Sequence, residues 1–127
     1  MSNNEAENKK YDLEDRLIDF AVDISEIIEK FPETRIGNYL AGQLVRSGCS
    51  PALNYGEAQS AESRNDFIHK MKIILKELRE SMVSLKIAER RNLTSASELI
   101  KSKDECNQLI SIFVKSIETA KKNNIKA

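Results

Sequence analysis

Residues 12–32 read DLEDRLIDFAVDISEIIEKFP. Within them Leu13, Leu17, Phe20, Ile24, Ile27 and Phe31 follow one another in steps of 4-3-4-3-4. That is an uninterrupted heptad pattern, and it places one continuous apolar stripe on a helix. Asp12 is a good N-cap, and Asp15 three residues later makes a weak capping box. Pro32 has no N–H to donate and stops the helix. A single apolar stripe cannot bury itself, so this segment predicts partner helices elsewhere in the chain.

Working outward, three more helices can be read. The second starts near Thr34 and carries Ile36, Leu40 and Leu44, amid the small residues Gly37, Ala41, Gly42, Ser47, Gly48, Cys49, Ser50, Ala52 and Gly56. Pro51 removes one helical hydrogen bond and disfavours α geometry at Ser50. The helix either kinks around 48–51 or ends there and restarts with Ser50 as cap. A polar stripe that keeps its phase across Pro51 favours the kink. The third helix opens with Ser63 and Asp66, then runs Phe67, Met71, Ile74, Leu78 and Leu85, ending near Arg91. The fourth opens with Ser95 and Glu98, a full S-x-x-E capping box. Its stripe is Leu99, Cys106, Ile110, Phe113, Ile117 and Ala120.

The whole chain has 127 residues, with four Gly, two Pro, 40% hydrophobic and 31% charged residues. That is one domain with few turn sites, and long helices suit it better than many short strands. A chain of this size buries roughly two-thirds of its unfolded surface, enough for a core without metal or disulfide support. Helix lengths match and connections are short, so the expected fold is all-α: an antiparallel up-down four-helix bundle over residues 11–122, its second helix kinked near Pro51. Residues 1–10 and 123–127 are expected to be flexible tails. No apolar run reaches the ~20 residues of a membrane span. The N-terminus lacks a signal-peptide pattern, and Cys49 and Cys106 form no CxxC, so the expected location is the cytoplasm.

Little in the sequence supports catalysis. His69 is the one histidine, and its place off the apolar arc of the third helix marks a surface side chain. Cys49 and Cys106 lie among small or apolar residues with no histidine nearby in sequence, as buried structural thiols do. There is no HExxH, no GxSxG and no glycine-rich phosphate loop. The reading is therefore not an enzyme, with no cofactor, no metal and no small-molecule substrate.

Charge is more informative. Twenty basic residues balance twenty acidic ones, yet Asp12–Lys30 holds seven acids and two bases, and Arg64–Arg91 holds eight bases and four acids. On the third helix Lys72, Arg79 and Lys86 are heptad-spaced and Lys76 shares their arc. This ridge is a candidate nucleic-acid contact for RNA or DNA. The plainer reading is a solvated ridge, or one paired with the acidic first helix. On the second helix Gln43, Arg46, Ser50, Asn54 and Glu57 fall within about 80° of one another and flank the apolar stripe. Such a polar line beside a core suggests a hydrogen-bonded seam at an oligomer interface; an ordinary amphipathic boundary is the alternative. Val22, Val83 and Ile87 lie outside the main apolar arcs and hint at subunit contacts.

The run Phe31-Pro32-Glu33, then Leu40, Gln43-Leu44, Arg46-Ser47, Ser50, Asn54 and Glu57, resembles the central motif of the four-helix-bundle proteins encoded in intervening sequences of bacterial 23S ribosomal RNA genes. That motif includes Q-L-x-R-A/S-x-x-S-I-x-x-N-I-A-E-G. Asp66-Phe67-Ile68 and Leu75 to Ser81 look like the family's third helix, and the resemblance covers about residues 11–120. Pro51 stands where the family usually has Ile, Gly56 replaces an Ala, and Ala58 replaces the Gly after Glu57. The resemblance implies a ring-like homopentamer with a link to nucleic acid. A related accessory protein of diversity-generating retroelements shares the fold and partners a reverse transcriptase with RNA. Arg46, Asn54 and Glu57 match the most regular polar positions of the motif. The expected function is a non-catalytic homo-oligomer associated with nucleic acid; the alternative is a protein-interaction scaffold with no nucleic-acid role.

Overall fold

The computed structural model describes residues 12–126. Four helices account for most of them: α1 (Leu13–Ile28), α2 (Arg35–Gln59), α3 (Arg64–Arg90) and α4 (Ala96–Lys126). The tail expected over residues 1–10 lies outside the described residues. The expected boundary at residue 122 is not a helix end, because α4 continues through Lys126.

The first three helices each start where a side chain satisfies one of the first free amides. Asp12 caps α1 in a reciprocal box: its carboxylate accepts from the Asp15 amide at 3.2 Å, and Asp15 accepts from the Asp12 amide at 3.2 Å. Thr34 accepts from the amide of Gly37 and Ser63 from that of Asp66. At the start of α4, Glu98 takes the Thr94 hydroxyl and the Lys30 ammonium. The end of α3 is a Schellman motif. Asn92 has φ 53°, its amide donates to the Glu89 carbonyl, and the Leu93 amide donates to the Ala88 carbonyl. Asn is one of the few side chains that enters the left-handed region readily. The motif turns Leu93 back into the core.

The core forms where the 4-3 spacing placed it. Leu17, Phe20, Ile24 and Ile27 of α1 are buried, and Phe31 stays buried in the turn after the helix has ended. They meet Leu40 and Leu44 of α2, Met71, Ile74, Leu78 and Leu85 of α3, and Leu99, Cys106, Phe113 and Ile117 of α4. Leu109 of α4 is fully buried as well, whereas its neighbour Ile110, expected on the stripe, is half-buried. Phe67 and Ile36 are likewise half-buried. Across the bundle the Tyr55 ring meets Phe113 edge-on, with centroids 6.0 Å apart.

Helix α2 does not end at Pro51: it is one helix of 25 residues with the proline inside it and buried. Glycines in this helix differ in environment, and a side chain on Gly37 would run into the Pro32 carbonyl of the preceding turn. A methyl group on Gly48 would meet Ile24 of α1 at 2.9 Å, so this glycine lets α1 and α2 pack closely at that point. Gly42 and Gly56 have open space around them.

Packed pairs are α1 with α2 and α4, and α3 with α2 and α4. Lys30, just past α1, pairs with Glu98 in the first turn of α4, while Arg16 near the start of α1 reaches Glu105 further along α4 at 2.6 Å. Lys103 in the early part of α4 pairs with Glu89 near the end of α3. Helices α1 and α3 therefore occupy opposite corners of the bundle.

Leu78 has no exposed surface and lies on the arc of α3 that faces the centre. Leu78→Ala should destabilise the fold by about 2–5 kcal/mol in chemical denaturation. A change below about 0.5 kcal/mol is the range of surface positions and would contradict its place in the core.

Candidate recognition surface

The contact between α2 and α3 contains a polar layer set into the apolar core. Ser81 donates its hydroxyl to that of Ser47 at 2.8 Å, and both side chains are buried. One residue earlier, Arg46 reaches across to α3. It donates to Glu77 at 2.7 Å and to Glu80 at 2.8 Å, and to Gln43 of its own helix at 3.3 Å. Glu77 is 6% exposed, so its carboxylate has left most of its water behind and keeps the guanidinium as its charged partner. The hydrogen bond to Glu80, together with the charge of Glu77, raises the Arg46 pKa above its ordinary value. It stays a cation.

The five residues of the polar line on α2 thus divide. Gln43 and Arg46 serve the contact with α3 inside one chain. Asn54 donates to Ser50 at 2.8 Å within the helix, and Glu57 is exposed.

The basic residues of α3 also divide. Lys72, Lys76, Arg79 and Lys86 are all exposed, and no ion pair among the described residues involves any of them. The acids of α1 do not reach them, because α1 packs on α2 and α4 instead. Lys72, Lys76 and Arg79 line a groove of about 740 Å³ between α2 and α3. Lys86 lies apart, in a smaller depression with Met82, Lys103 and Asn107. The groove contains apolar side chains that single-helix reasoning could not assemble. Tyr39 comes from α2, and Leu75, Val83 and Ile87 come from α3. Tyr39 is 61% exposed and Val83 57%. Val83 and Ile87 were legible as apolar residues on the wrong face; Tyr39 carried no signal, since a lone exposed tyrosine is ordinary.

The other corner is the reverse. On α1, Ile18 and Val22 are exposed, and Glu26 and the C-cap Glu29 stand in solvent without an ion pair among the described residues. Asp23 has its pKa raised, first by partial burial and then by the neighbouring acids Glu26, Asp19 and Glu105, against the opposing pull of Lys101.

The remaining reactive groups are quiet. Cys106 donates its thiol to the Leu78 carbonyl, and burial pushes it up to about 12, far from a nucleophilic thiolate. Cys49, expected to be buried, is half-buried on α2. His69 is exposed. Among the described residues no three His, Cys, Asp or Glu side chains converge on a point where a metal ion would sit, and no helix is long and apolar enough to cross a membrane.

Residues 9–115 match the family model of the 23S rRNA-intervening sequence protein. The chain belongs to that family. A crystal structure of a protein of unknown function, from the S23 ribosomal protein family of Bacteroides thetaiotaomicron, has the same fold. Its TM-score is 0.74 at 27% identity, covering 82% of this chain and 96% of the other. No curated protein matches the chain. The family match spans α1 to α3 and much of α4, so it takes in both the basic groove and the acidic corner.

A double-mutant cycle tests the polar layer. Arg46→Gln and Glu77→Gln should each lower the denaturation midpoint, and the combined variant should lose less than the two singles together. Strict additivity would mean that the two side chains do not support each other.

Proposed function

We propose that this member of the 23S rRNA-intervening sequence protein family is a non-catalytic, homo-oligomeric binding module whose recognition surface is the groove between α2 and α3. The observation that carries the reading is the coincidence of Lys72, Lys76 and Arg79, which have no ion pair among the described residues, with the exposed side chains of Tyr39, Val83 and Ile87. Apolar surface ringed by charge is what an interface core and its rim require. A phosphate backbone makes no use of exposed Val83 and Tyr39, whereas a helix with an apolar stripe and acidic flanks uses both parts of the groove. The module works in the cytoplasm, where free thiols such as Cys49 and Cys106 stay reduced. Five copies in a ring is the assembly expected from the resemblance of its central motif. Tyr39→Ser combined with Val83→Ser should reduce the assembled mass in light scattering while helical circular dichroism is unchanged, because neither side chain supports the core. An unaltered mass at low micromolar concentration would overturn the groove as the surface of assembly.

A second reading is nucleic-acid binding, favoured by the cations Lys72, Lys76, Arg79 and Lys86 along one helix, none of which has an ion pair among the described residues. A chain of zero net charge attracts phosphate through local segregation of charge, and an oligomer multiplies it. With no tryptophan in the chain, base stacking contributes little and sequence preference is low. Labelled RNA or DNA titrated at rising salt should show a steep loss of affinity. A variant with Lys72, Arg79 and Lys86 changed to Glu should scarcely bind. Binding that survives both salt and substitution rules this surface out.

A further inference from the structure

We propose that the groove between α2 and α3 is filled by the outer face of α1 from a second copy of this chain, in a head-to-tail contact that repeats from copy to copy. The proposal rests on reading the groove as the recognition surface, and it names the occupant. Helix α1 carries two stripes. The inner one is the buried heptad. The outer one is Asp15, Ile18, Val22, Glu26 and Glu29, in steps of 3-4-4-3, which fall within about 80° on the far side. Its centre is apolar, with Ile18 at 45% and Val22 at 48% exposure, and acids stand on either side. The groove is its counterpart, apolar at Tyr39, Val83 and Ile87 and basic at Lys72, Lys76 and Arg79.

The lengths agree as well. From Asp15 to Glu29 the outer stripe extends about 21 Å, and from Lys72 to Ile87 the groove extends about 22 Å at 1.5 Å per residue. Within one chain the two surfaces cannot meet, because α1 and α3 sit at opposite corners and each packs on α2 and α4. Two different patches facing away from each other make a heterologous contact. Such a contact closes into a ring when the rotation between copies permits. It also accounts for a chain whose charges sum to zero while its first helix is acidic and its third basic: the surplus on each is balanced by the next copy.

Charge reversal tests this on the intact chain, with all altered residues exposed and helical circular dichroism as the folding control. Two variants are compared with wild type by light scattering across concentration and salt: Glu26→Lys with Glu29→Lys, and Lys72→Glu with Lys76→Glu. Each should fall to the mass of a single chain under conditions where wild type is assembled. The chain carrying all four reversals should recover the wild-type mass, since its altered α1 again meets an altered groove of opposite sign. Recovery is the outcome that a merely damaged surface would not give. If the Tyr39/Val83 variant dissociates but neither reversal does, the groove remains the surface of assembly and α1 is not its occupant. If wild type is a single chain at every concentration, both readings fall. If the groove reversal abolishes RNA binding and leaves the mass unchanged, the groove belongs to nucleic acid and the proposal is overturned.

Discussion

The carboxylate of Glu77 lies almost out of water on α3, and the guanidinium of Arg46 on α2 is what makes that position tenable. Without the cation the carboxylate would lose hydration and gain nothing for it. Next to it the hydroxyls of Ser47 and Ser81 close on each other inside the core. Both contacts are directional, whereas the leucines around them tolerate small slides along the helix axis. The polar layer therefore sets the register of α2 against α3. Register in turn decides that Tyr39 and Gln43 stand beside the same groove as Val83 and Ile87. Move α2 by one turn and the same residues exist, but the groove does not.

The distribution of charge follows from the same arrangement. Arg46 is held by Glu77 and Glu80, which takes two of the four acids of the third helix out of play. Lys70 pairs with Asp66 one turn away, and Glu89 with Lys103 of α4. After those pairings the cations left on α3 are Lys72, Lys76, Arg79 and Lys86, together with arginines at its ends. On α1 and in the turn after it the two bases are used on α4, Arg16 on Glu105 and Lys30 on Glu98, and the surplus there is acidic. Internal pairing thus sharpens the segregation rather than cancelling it.

Helix α2 also shows why a run of small residues is not one device. Gly48 touches Ile24 so closely that a side chain there would force α1 away, and this contact shapes the bundle. Gly42 and Gly56 face open space, and Cys49 between them is half-buried. Pro51 is accommodated without ending the helix, because its ring is buried against the core and the missing amide costs a single hydrogen bond.

Four helices, the caps of the first three and most of the core were legible in the sequence, because these depend on local spacing. A 4-3 apolar rhythm selects one face of a helix, and Asp12, Thr34 and Ser63 reach only their own first turns. Leu93 escaped that reading since its burial depends on the left-handed turn at Asn92, and Leu109 escaped it because neighbouring positions 109 and 110 are separated only by how α4 is rotated in the bundle. The basic ridge was legible as a pattern, as were the apolar outliers Val83 and Ile87. Only packing settles that Arg46 reaches across to the buried Glu77, that Lys86 parts from the other three cations, and that Tyr39 joins them. Those outcomes depend on which helix lies beside which and at what height. That is a property of long-range packing, and no periodicity within a single helix encodes it.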